Sequence, residues 1–120
     1  MFAGESFLDV ARKLADADTE ADWRSAVSRA YYAAFWAARS AVEAGGVGVA
    51  YSGGEGSHDA LWNMLVTEYN AIGDSLGETG RRLKLARVRA DYRDRTVTAD
   101  DARRAVRNAG QLVADLRALT

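Results

Sequence analysis

The chain has 120 residues, a formal net charge of −1, no proline and no cysteine. That length suits one domain rather than two, and the missing cysteine excludes a disulfide framework and any thiolate metal site. Near-neutral charge argues against a broad electrostatic grip on nucleic acid, which needs many phosphate-neutralising cations.

Without proline, which costs about 3 kcal/mol inside a helix, and with abundant alanine, leucine, arginine and glutamate, the chain reads as all-α. Glu5 and Asp9 interrupt the apolar run that a signal peptide would need, and no apolar stretch approaches the roughly 20 residues that span a bilayer. The expectation is a cytoplasmic protein away from membranes, with no metal or cofactor.

Helical periodicity recurs five times. The first helix is expected over about Glu5 to Ala17, with Phe7, Leu8, Ala11, Leu14 and Ala15 forming its apolar stripe. The second should run from about Ala21 to Ala44, capped by Thr19 or Asp22 and stopped by Gly45 and Gly46. Six of the thirteen residues in GGVGVAYSGGEGS, positions 45–57, are glycine, which predicts a flexible loop. It carries no lysine or arginine, so it is not a phosphate-binding P-loop. Ser57 is then the expected N-cap of a third helix over His58 to Ala71, burying Leu61, Trp62, Leu65 and Tyr69. Gly73 to Gly80 reads as a second break or a frayed helix start. The fourth helix is expected from Thr79 to Arg93. The fifth runs from Ala99 to Leu119, with Thr98 as N-cap and Asp100 and Asp101 complementing the helix dipole.

The second helix is unusual in lacking a polar face. On a wheel of about 100° per residue, Trp23, Val27, Ala30, Ala34, Ala37 and Ala41 share a smooth side, Tyr31, Phe35 and Val42 a second, and Tyr32 and Trp36 a third. Small residues admit a close neighbour and rings fill the wider gaps, so this helix is expected to be the central rod of the bundle or part of a subunit interface. Arg29 is its exception, needing a carboxylate, a phosphate or a route to water. Most basic residues lie after Gly80. On the fourth helix Arg87 falls among the core-facing positions Leu76, Leu83 and Ala90, with Asp91 one turn on as its natural ion-pair partner. Leu85, Val88 and Tyr92 form another apolar strip, and Arg82, Arg89 and Arg93 an outward one.

Three runs, DWRSAVSRAYYAAFWAARSAV (Asp22 to Val42), SHDALWNML (Ser57 to Leu65) and RVRADYRDRTVTADDARRAVRNA (Arg87 to Ala109), together resemble the HEPN domain family. The resemblance implies a single domain over residues 1–120, an up-and-down bundle of four to five helices that pairs into a homodimer. It also implies a gene neighbour encoding a minimal nucleotidyltransferase, and an RNA or nucleotide ligand. Active members of the family are metal-independent ribonucleases, often toxins. They place a histidine four to six residues after an arginine on the fourth helix, and two such motifs face each other across the dimer cleft.

Here Arg87 matches the arginine, but Asp91, Tyr92 and Arg93 occupy the following positions. Neither an aspartate near pKa 3.9 nor a tyrosine near 10 replaces an imidazole at neutral pH without a large shift. The single histidine, His58, opens the third helix instead. The expectation is a non-cleaving binding protein, the partner half of a toxin–antitoxin-like module. Arg29, Arg87, Asp91 and Tyr92 are its candidate ligand residues, and Tyr92 is a candidate for nucleotide modification. The rivals are an active endoribonuclease drawing on Arg87, Asp91, Tyr92 or His58, and a purely structural dimerisation adaptor.

Overall fold

The computed structural model describes residues 3–44 and 55–119. Four helices follow in order: α1 (Ser6–Ala15), α2 (Glu20–Ala44), α3 (Glu55–Tyr92) and α4 (Ala99–Ala118). The loop expected over 45–57 lies outside the described residues except for its last three positions. Those three already belong to α3, so Ser57 sits within a helical run rather than capping its start.

Helix α2 begins where Thr19 Oγ1 accepts a hydrogen bond from the Asp22 backbone N–H at 3.2 Å and donates to Asp22 Oδ2 at 2.7 Å. Trp23 closes the preceding turn, its Nε1 donating to the Ala17 carbonyl at 2.9 Å. From there α2 packs against all three other elements, and α4 does the same, leaving α1 and α3 on separate sides of this central pair. Seven buried alanines on α2 (Ala26, Ala30, Ala33, Ala34, Ala37, Ala38 and Ala41) keep the neighbours close, while buried Tyr31, Phe35 and Val42 occupy the wider gaps. Small side chains at a helix contact shorten the distance between axes.

Helix α4 carries a full capping box: Thr98 Oγ1 accepts from the Asp101 N–H at 3.1 Å, and Asp101 Oδ2 accepts from the Thr98 N–H at 2.9 Å. Its buried stripe, Ala102, Ala105, Ala109, Leu112, Val113 and Leu116, follows the helical period and faces the core.

Helix α3 consists of two helical limbs that meet at Asn70, whose φ of 57° and ψ of −126° lie outside the helical range. The expected third and fourth helices are thus distinct, with the break one residue before the expected end at Ala71, but the second limb begins well before the expected start at Thr79. Asparagine tolerates positive φ better than most residues. Beyond Asn70 the chain doubles back, so that residues further along meet residues further upstream. A Cβ on Gly73 would lie 1.8 Å from the Leu65 carbonyl oxygen, and one on Gly80 would lie 2.3 Å from the Trp62 ring. Lys84 Nζ lies 3.1 Å from Asp59 Oδ1, and Arg81 donates to Asn63 Oδ1. The stretch from Gly73 to Gly80 is therefore neither a break nor a frayed end. It is regular helix, and its glycines let the second limb of α3 lie directly on the first.

Candidate functional site

Arg87 projects inward from the second limb of α3 and is only 3% exposed. Its guanidinium carbon lies 5.7, 5.6 and 5.9 Å from the ring centroids of Tyr31, Tyr32 and Tyr92. Three electron-rich faces around one cation offset part of the cost of removing it from water. Nη1 donates to Tyr32 Oη at 3.2 Å and stands 3.9 Å from Asp91 Oδ2, the long limit of an ion pair. Asp91 is anchored more closely from α2, where Ser28 Oγ donates to its Oδ2 at 3.1 Å.

Arg29 joins the same cluster. Its Nη2 donates to Ser28 Oγ at 3.4 Å, and its guanidinium lies 5.1 Å from the rings of both Phe7 and Tyr32. Of the residues singled out in the sequence, Arg29, Arg87, Asp91 and Tyr92 therefore meet where α2 and the end of α3 face each other. Asp91 and Tyr92 are exposed and Arg29 half-buried, so these three form the outer surface and Arg87 lies beneath them. Leu85 and Tyr92, 56% and 72% exposed, continue that surface with half-buried Val88 as an apolar strip.

His58 is closer to this cluster than its place in the sequence suggests. Its Nδ1 lies 2.7 Å from Tyr31 Oη, which also accepts from Trp62 Nε1 at 3.2 Å. Tyr31 has one proton to give and a lone pair to offer, so the neutral Nε2–H tautomer of His58 satisfies all three groups. The imidazole stacks on Tyr31 with centroids 5.7 Å apart and lies 4.6 Å from the Phe35 ring. At 4% exposure it is enclosed in this aromatic shell. Tyr31 and Tyr32 thus separate His58 from Arg87 while touching both.

Sequence reasoning missed Arg24, which holds the end of α3 in place. Its Nη1 donates to the carbonyls of Ala90 at 2.8 Å and Arg93 at 2.9 Å, and Nη2 donates to that of Arg95. The Ala90 carbonyl belongs to the last turn of α3, where carbonyls lack intrahelical partners, and those of Arg93 and Arg95 lie just past the helix end at Tyr92. Glu20 completes the clamp: its Oε2 accepts from Arg24 Nε at 2.9 Å and from the Val97 N–H at 3.3 Å. Nothing local to EADWR announces this role, because the carbonyls lie more than sixty positions away.

Among the described residues no group of three or more histidine, aspartate or glutamate side chains is placed to hold a metal, and no described helix is long and apolar enough to cross a membrane. The family model described as HEPN domain matches residues 1–119. No curated protein and no solved structure matches the chain.

Proposed function

Because this chain belongs to the HEPN domain family, we propose that it works as a binding module: a homodimer that holds RNA or a nucleotide without cleaving it, paired with a minimal nucleotidyltransferase in a toxin–antitoxin-like system. The observation that carries the reading is the enclosure of both groups that cleavage would need. Arg87 is 3% and His58 4% exposed, one engaged with Tyr32 and the other with Tyr31. A general acid or base must come within hydrogen-bond reach of the proton it moves, and a buried imidazole whose Nδ1 is already taken by Tyr31 does not meet a phosphodiester. Arg87 instead acts as a positioning residue, setting Tyr92 and Asp91 at the surface.

The same face supports the proposed dimer. Exposed Leu85 and Tyr92 flank Val88 on successive turns, and burying such a strip against its copy removes apolar surface at about 25 cal/mol per Å². Pairing there brings two Arg29–Asp91–Tyr92 surfaces opposite one another.

Labelled single-stranded RNA incubated with the protein in EDTA tests the reading. The expected result is retarded, intact RNA and a solution mass of two copies, with both properties lost in Tyr92→Glu. RNA cut in EDTA by the wild type and left whole by Arg87→Ala would establish the endoribonuclease reading instead. A dimer with no RNA or nucleotide affinity would establish the adaptor.

A further inference from the structure

The flank of α3 facing α4 holds a separate feature that the RNA-facing cluster does not use. A groove of about 460 Å³ runs between the second limb of α3 and α4. Its aliphatic floor comes from Val27, Leu83, Ala86, Val97 and Ala105, and its rim carries Arg82, Arg89, Arg95 and Arg104. One carboxylate, Asp101, lines it. That carboxylate is occupied, accepting from the Thr98 N–H and lying 3.6 Å from Arg104.

We infer that this groove is a docking site for an acidic, amphipathic peptide segment of a protein partner, with apolar side chains on the floor and carboxylates on the arginine rim. Charge complementarity carries the argument. Arg89 and Arg95 are exposed and enter no ion pair among the described residues. Among the described residues Arg82 pairs with Glu78 on the open surface at 2.7 Å, and surface pairs of that kind are worth little. The planar fork of arginine takes a carboxylate bidentately.

The groove also has the dimensions of such a guest. Arg82 and Arg89 are two turns apart, about 10 Å along the helix axis, the distance over which an amphipathic helix presents anchors at i, i+3 or i+4, and i+7. Among the described residues no aromatic ring lines the groove, so these walls offer an RNA strand none of the stacking surfaces that single-strand binders use. The aliphatic floor rewards an apolar side chain and gives a phosphodiester nothing. The site is pre-organised as well. The Arg24–Glu20 clamp holds the Arg95 carbonyl and the Val97 N–H, so little ordering remains when a ligand arrives. The inference does not depend on the RNA reading, which concerns the other flank of α3.

A fluorescein-labelled synthetic peptide of about four helical turns, glutamate-rich with leucine at i, i+3, i+4 and i+7, tests it by anisotropy against the full chain. The expected result is micromolar binding that weakens with salt and falls about tenfold or more in the Arg89→Gln/Arg95→Gln double variant. An isomer of the same composition with its leucines scattered should bind about tenfold less tightly. A second variant, Ala86→Glu, places a carboxylate on the floor and should also abolish binding, with circular dichroism confirming the fold of both variants. Peptide affinity unchanged by these substitutions, equal affinity for the scattered isomer, or an oligouridine that binds at the groove arginines in place of the peptide would each overturn the inference.

Discussion

The two flanks of the second limb of α3 use similar residues to opposite ends. Toward α2 and the first limb, the buried side chains are closely packed: Arg87 lies among tyrosines, His58 against Tyr31, and Gly73 and Gly80 on the backbone and ring of their neighbours. Toward α4, Arg82, Arg89 and Arg95 stand at the rim of an open groove. What a residue does here is set by the element packed against it rather than by its type. An arginine enclosed by rings or carbonyls, as Arg87 and Arg24 are, is structural, whereas half-buried Arg29 and the arginines at the groove rim keep a face toward solvent for recognition.

The sharpest way to break this contrast is at the closed flank. In an exposed helix, replacing glycine by alanine stabilises by about 1 kcal/mol. At Gly73 the new methyl would lie 1.8 Å from the Leu65 carbonyl oxygen, and main chain cannot yield as a side chain does. Gly73→Ala should therefore destabilise by about 3 kcal/mol or more, read as a lower denaturant midpoint. A stabilised variant would show that the two limbs of α3 do not touch.

A smaller effect is expected at Tyr31→Phe, which deletes the hydroxyl shared by His58 Nδ1 and Trp62 Nε1 while keeping the ring. Two buried polar groups are left without their partner, at a cost of about 2 kcal/mol. A neutral result in chemical denaturation would mean that the network is not formed.

The parts of this fold that were legible in the sequence are those fixed by neighbours a few residues away. TVTADD announces the capping box of α4 because its two partners are three residues apart. The alanine and ring spacing of α2 announces a helix buried on most sides, and Arg87 falls on the core face because Leu83 and Ala90 share its angle. What stayed hidden depends on distant partners. The end of the third helix near Ala71 was legible, since the chain reverses at Asn70, but glycine ordinarily marks a helix break, so Gly73 to Gly80 read as one, whereas these glycines lie in helix and allow close approach. The Arg24 clamp and the meeting of His58 with Tyr31 join residues tens of positions apart, and no local pattern signals either.

The most direct test of the whole account is one RNA titration in EDTA against two surface double variants, Arg29→Gln/Tyr92→Ala and Arg89→Gln/Arg95→Gln. The account predicts that the first loses affinity about tenfold or more while the second changes about threefold at most, with the RNA intact throughout. Affinity lost only in the groove variant, or RNA cleaved in EDTA, would contradict it.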